Sequence, residues 1–178
     1  MVVTPLLKTE RMILRPFQRI DAPFLFLWCS SKEVTKYLFY LPHKTEADSL
    51  RLLESWTKKR KHLSWAMEYQ NEVIGEIEII KNLPEHGFML GYTLREDKWH
   101  QGLMSEGLKK VFEYMKEEGY LYALAETDER NVNSINLLKH NGFFFVSKEE
   151  GRYIAKKAET VDVVKYKKDL TTINQAEM

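Results

Sequence analysis

Cysteine is nearly missing from this chain of 178 residues: Cys29 stands alone inside the apolar run "FLFLWCS". One thiol cannot close an internal disulfide, so a disulfide scaffold is excluded and a buried structural thiol is expected. An excess of one charge is missing too. The 27 basic and 26 acidic residues leave a formal net charge of +1, so no global field draws the chain to nucleic acid, and no direct nucleic-acid partner is expected. Nothing approaches the roughly 18 to 20 consecutive apolar residues of a membrane span. At the N-terminus, Arg11 and Arg15 fall among the apolar positions of "MVVTPLLKTERMILRPF" rather than ahead of them, unlike a signal peptide. A cytoplasmic protein away from membranes is expected. The five histidines (His43, His62, His86, His100 and His140) are scattered, so no metal site is expected. Neither G-x-x-x-x-G-K-[ST] nor G-x-G-x-x-G after a strand occurs, which removes the P-loop and the dinucleotide fingerprint. Repeats, low-complexity tracts and Pro/Gly/Ser-rich linkers are also lacking. One domain over residues 1–170 is expected, with 171–178 as a frayed tail.

The segments that are present alternate between two periodicities. "KTERMILRPF" has strand character up to Pro16, and "DAPFLFLWCS" opens a helix with Asp21 as N-cap and Pro23 in the first turn. In "KTEADSLRLLESWTKKRKH", Thr45 and Asp48 stand at capping-box spacing before Leu50, Leu53 and Trp56 on one helical face. The basic end "KKRKH" reads as a solvated helix end. "SWAMEYQ", "EVIGEIEII" and "HGFMLGYTLR" are β-rich runs separated by polar and Pro/Gly turns, and read as an antiparallel meander. Leu108, Val111, Phe112 and Met115 then recur at helical spacing, with Gly119 closing the helix. "YLYALAET" is a strand, "NVNSINLLKH" a short helix stopped by Asn141 and Gly142, and two strands finish the chain. About seven strands and four helices are expected, a mixed α/β (α+β) architecture.

The junction "WHQGLMSEG", Trp99 to Gly107, carries the first chemical signal. A helix N-terminus exposes unpaired N–H groups at the positive end of its dipole, and Gly102 allows the backbone to approach a ligand there. Taken alone, the nonapeptide fits a phosphate cradle and a plain helix start equally well.

A second signature lies one strand later. "LGYTLREDKWHQGLMSEGLKKVFEYMKEEG" followed by "ETDERNVNSINLLKHNGF" resembles the Gcn5-related N-acetyltransferase superfamily, and within it the Rim-type branch of ribosomal-protein N-terminal acetyltransferases. Trp99 to Gly107 follows that branch's W-G-K-G-x-[AM]-[ST]-E-[AG] loop. Asn131, Ser134, Leu138, Gly142 and Phe143 match its N-x-x-S-x-x-x-L-x-x-x-G-F signature. The opening "KTERMILRPF…DAPFLFLWCSSKEVTKYL" is similar as well, so the likeness covers most of the chain. It implies a GNAT fold, a single mixed, mostly antiparallel twisted sheet splayed between the strands at 86–95 and 120–127, with acetyl-CoA as co-substrate in the cleft. The implied cofactor-binding residues are Gln101, Gly102, Leu103, Met104 and Ser105 for the pyrophosphate. Tyr92 and Leu94, at the bulged end of "MLGYTL", would serve the pantetheine arm, and Asn131 and Ser134 would lie near the thioester. The acceptor it implies is an amine, foremost a protein N-terminal α-amine.

Acetyl transfer needs a neutral nucleophile, a stabilised oxyanion and a proton for the departing thiolate. Where relatives often carry a glutamate in an "E-I-G-Y" strand, this chain has Met89 in "FMLGY". Glu126, at the end of "LYALAET", is then the candidate base, directly or through water, and Ser134 the candidate acid, with Tyr92 and Tyr153 behind it. Two other readings stand beside this one: an acetyltransferase of polyamines or aminoglycosides, and a catalytically silent acyl-CoA-binding module, to which Met89 lends weight. A monomer or homodimer is expected.

Overall fold

The computed structural model describes residues 3–59 and 62–171. The side chains of the basic helix end through residue 61, and the tail 172–178, lie outside the described residues. Eight strands and five α-helices follow in the order β1 (Leu7–Lys8), β2 (Ile13–Arg15), α1 (Ala22–Cys29), α2 (Lys32–Thr35), α3 (Glu46–Lys59), β3 (Ser64–Tyr69), β4 (Glu72–Leu83), β5 (Gly87–Leu94), α4 (Leu103–Glu117), β6 (Tyr122–Asp128), α5 (Val132–His140), β7 (Phe144–Ile154) and β8 (Glu159–Asp169). The expected first strand is a hairpin of two short strands, because Thr9 closes a turn onto the Met12 carbonyl. The expected first helix divides at Ser30 and Ser31, whose hydroxyls turn to local backbone groups: Ser30 donates to the Phe26 carbonyl and Ser31 accepts from the Val34 amide. These two divisions account for the extra strand and helix.

All eight strands form one sheet in the order β1-β2-β3-β4-β5-β6-β8-β7. β3, β4 and β5 are the antiparallel meander expected from the turn residues. β5 and β6 run parallel, which obliges the chain to cross over between them, and α4 is that crossover. Their pairing stops early: Gly87 to Leu90 pair with Tyr122 to Ala125 and go no further. Beyond that point β5 stays with β4 to Leu94, and β6 stays with β8 to Asp128. The sheet therefore opens into a V whose arms are each supported by an outer strand. This is the splay expected between 86–95 and 120–127.

Each face of the sheet has its own core. On one, Leu14, Met67, Ile77 and Leu90 meet Leu108, Val111 and Met115 of α4 and Leu138 of α5. On the other, Ala66 and Val73 meet Leu25, Trp28 and Cys29 of α1 and Leu53 of α3. α4 lies very close to the strands: a Cβ at Gly107 would stand 2.9 Å from the Ile77 Cδ1. The helix axis is thus seated on β4, and its N-terminus is aimed at the opening of the V.

Candidate active site

The first wall of the opening is the loop into α4. Trp99 donates from Nε1 to the Leu94 carbonyl at 2.8 Å, tying the loop to the end of β5. His100 and Gly102 then take positive φ, 59° and 75°. That conformation costs glycine little and suits position 102, which is the N-cap of α4. No side chain caps this helix. Glu106, the acid of the first turn, is drawn sideways to the β1–β2 turn, where it accepts from Thr9 Oγ1 (2.6 Å), the Arg11 amide (2.8 Å) and Arg11 Nε (2.6 Å). Partial burial raises its pKa, but these donors outweigh that and hold the carboxyl below its ordinary value. The amides of Leu103, Met104 and Ser105, in the first turn, consequently receive no side-chain cap. Arg11 reaches the same turn in a way the local sequence does not reveal. It donates to the Gln101 carbonyl at 3.1 Å, and one of its guanidinium nitrogens lies 3.5 Å from where a Gly102 Cβ would be. The signal was available only as an arginine in a turn some ninety residues upstream.

The second wall is made by α5. Asn131 caps it, its side chain accepting from the Ser134 amide at 3.2 Å. The Ser134 hydroxyl faces β5, with Oγ 2.8 Å from Tyr92 Oη. Burial pushes the Tyr92 phenol up to about 12, against the opposing effect of the Ser134 hydroxyl. Both hydroxyls therefore stay protonated at neutral pH. At the far end of α5, Asn141 donates to Ser105 Oγ at 3.0 Å, joining the second wall to the first turn of α4. Between the walls, Gly91 to Leu94 of β5 carry no β6 partner on their inner edge, as an added strand-like ligand arm requires. The Leu94 carbonyl, however, is already taken by Trp99. The irregularity expected at the end of β5 lies in β4 instead, where Ile80 is an extra residue between the pairs Ile79↔Leu90 and Lys81↔Met89.

The other face of the same strands holds a feature that sequence reasoning missed. Successive residues alternate faces, so Gly91 looks away from Tyr92, and so do its cross-strand partner Glu78 and the next carboxylate, Glu76, opposite Thr93. The Glu78 carboxylate covers Gly91: a Cβ there would stand 3.1 Å from Glu78 Oε1. Burial raises the pKa of Glu78. Glu76 is more deeply enclosed, 5% exposed, with one oxygen that has no partner; burial, then the charge of Glu78, raise its pKa well above the ordinary value, against a Thr93 hydrogen bond. Met89 lies on this face too, two residues from Gly91 and diagonal to Glu78. Where the resemblance implies a carboxylate on β5, β4 carries Glu76 and Glu78. The hint in the sequence was two glutamates at alternate positions in an apolar strand, "GEIEII".

Glu126 follows the last β6 residue paired with β5, so it borders the opening as expected. Its carboxyl, however, pairs with Arg152 at 2.8 Å and Lys165 at 3.1 Å. Burial alone would raise its pKa, but the two cations outweigh burial and hold it low, which makes it a poor proton acceptor. Tyr153 stands exposed on β7, the outermost strand. Cys29 is buried as expected, 3.6 Å from Tyr40 Oη, and burial pushes its thiol up to about 12.

The model of the acetyltransferase (GNAT) domain matches residues 11–144. The chain belongs to the GNAT acetyltransferase family. Among GNAT proteins it is 27% identical to the uncharacterized N-acetyltransferase YoaA of Bacillus subtilis over 116 residues, 62% of this chain and 66% of that one. It is 28% identical to the uncharacterized N-acetyltransferase p20 of Bacillus licheniformis over 144 residues, 77% of this chain and 81% of that one. A Salmonella typhimurium GNAT structure, the acetyltransferase that modifies the N-terminal serine of 50S ribosomal subunit protein L7/L12, superposes with a TM-score of 0.81 at 17% identity. That superposition covers 93% of this chain and 99% of the Salmonella one, and shows a shared fold.

Proposed function

We propose that this GNAT protein transfers the acetyl group of acetyl-CoA to a protein N-terminal α-amine, with Glu78 as general base and Ser134, backed by Tyr92, as proton donor. One observation carries the reading: the opening between β5 and β6 has a buried carboxylate over Gly91 on one face and the Ser134–Tyr92 hydroxyl pair on the other. Acetyl-CoA supplies the activated acyl carbon when bound. The amides of Leu103, Met104 and Ser105, with Gly102, Gln101 and Arg11, face the pyrophosphate; Tyr92, Leu94 and Asn131 line the way to the thioester. Glu78 accepts the proton that the amine gives up as its nitrogen bonds to the acyl carbon. Ser134 delivers a proton to the sulfur as the C–S bond breaks, and Tyr92 steadies its hydroxyl. An α-amine titrates near 7.7 to 8.0, about 2.5 units below a lysine, so a carboxylate of moderately raised pKa suffices as its base. Glu126, held ionised by two cations, acts here as a fixed charge at the rim. The activity named for the Salmonella relative agrees with this acceptor.

Incubation with acetyl-CoA and a panel of N-terminal peptides is expected to give mono-acetylation at the α-amine, with one CoA released per product. Glu78→Gln should lower kcat by about 10² to 10⁴ while acetyl-CoA affinity is kept. Consumption of polyamines or aminoglycosides with the peptides untouched would move the acceptor to small amines. An unchanged kcat in the variant would remove Glu78 as base.

A further inference from the structure

One side-chain nitrogen joins the end of α5 to the start of α4. Asn141 Nδ2 donates to the Leu137 carbonyl at 2.8 Å and to Ser105 Oγ at 3.0 Å. A carbonyl can only accept, so the first contact fixes which end of the Asn141 amide is nitrogen. The second contact then has a direction, and Ser105 is the acceptor in it. The Ser105 proton has to go elsewhere. A serine in a helix often gives that proton to the carbonyl four residues back. For Ser105 this is the Gln101 carbonyl, which already accepts from Arg11 Nη1 at 3.1 Å. Among the described residues the Ser105 hydroxyl donates neither to it nor to any other acceptor.

Ser105 is the third residue of α4, in the turn whose amides no side chain caps. A hydroxyl held there by its oxygen, with its proton unclaimed, is a further donor beside the amides of Leu103 and Met104. Asn141 also ties down the far end of α5, whose first turn sets Ser134 against Tyr92. The nine residues of α5 span about 13 Å. The helix is therefore fastened to the opening at both ends, at the hydroxyl pair and at the uncapped turn.

We infer that Asn141 is a positioning residue for acetyl-CoA: its amide holds Ser105 Oγ as an acceptor and so commits the Ser105 proton to the pyrophosphate. The inference rests on the pyrophosphate placement above, and adds to it a residue that acts only through Ser105.

The test is the acetyl-CoA Kd, measured by calorimetric titration on the whole chain. Ser105→Ala should raise Kd by about tenfold, the scale of one hydrogen bond to a charged group. Asn141→Ala should raise it by about three- to tenfold, because the hydroxyl remains but is no longer aimed. Its melting temperature should stay near the parent's, since the Leu137 carbonyl still accepts from the backbone amide of residue 141 at 3.0 Å. The double variant Ser105→Ala, Asn141→Ala should bind no more weakly than Ser105→Ala alone, a dependence that a merely structural role for Asn141 would not produce. Ser105→Thr keeps the hydroxyl and should stay within about twofold of the parent. Losses that multiply in the double variant overturn the role of Asn141 and leave the pyrophosphate placement standing. So does an unchanged Kd in Asn141→Ala beside a raised one in Gly102→Glu. A Kd unchanged in both Ser105→Ala and Gly102→Glu overturns the two together.

Discussion

Ser134 gives its backbone amide to Asn131 and turns its hydroxyl toward Tyr92. A first-turn serine ordinarily satisfies a nearby backbone group; here its hydroxyl faces Tyr92 across the opening. Ser134→Ala should therefore lower kcat by about 10² while acetyl-CoA affinity stays within about twofold, read by steady-state kinetics beside calorimetric titration. If the rate does not move, the hydroxyl pair has no part in the proton path. Single residues divide sharply in how legible they were. Ser134 and Gly102 could be placed because each belongs to a spaced signature. Glu78 could not, because a carboxylate's role depends on what lies opposite it, and its partner Gly91 is set by strand register. Glu126 was placed at the rim correctly, yet Arg152 and Lys165, which hold its pKa low, come from β7 and β8.

Among the elements, α4 has its first turn left uncapped by a diversion. An acidic residue in a first turn ordinarily favours the helix dipole and can cap the amides. Glu106 is instead claimed by Thr9 and Arg11, so the amides stay open and a guanidinium is added beside them. Gly102→Glu would place a charge against the phosphates and a side chain at a φ of 75°. The strain alone costs about 1 kcal/mol, and the repulsion adds to it. Acetyl-CoA Kd is expected to rise by about 100-fold or more, with the helix content kept; a Kd within threefold of the parent would place the pyrophosphate elsewhere. The start of α1 shows the same competition for a side chain. Asp21 occupies the N-cap position that its sequence context implies, but its carboxylate accepts from the Gln18 amide at 2.7 Å and from Arg15 at 2.8 and 2.9 Å. Periodicity located the elements, whereas the hairpin between β1 and β2 and the bulge in β4 depended on partners no local window contains.

For the whole molecule, two adjacent carboxylates in one buried face make stability depend on pH. Burial and the charge of Glu78 raise the pKa of Glu76 in the fold, so the neutral form is the one the fold favours. At pH below the unfolded value, near 4.5, the group is protonated in both states and that preference is fully present; as pH rises through the folded value it is lost. Glu76→Gln keeps a neutral group of the same shape there. The variant should gain stability over the parent as pH rises above the unfolded value, read by urea unfolding across pH. Parallel pH curves for the two proteins would show that Glu76 does not resist ionisation. The sequence by itself determined the mixed α/β order, through periodicity and turn residues, and the resemblance carried by its two spaced signatures implied the splay between the fifth and sixth strands. Only the tertiary structure showed Glu78 over Gly91 and Arg11 beside the turn into α4. Each of these joins side chains distant in sequence, and cross-strand register, burial and charge pairing arise only once the sheet has formed.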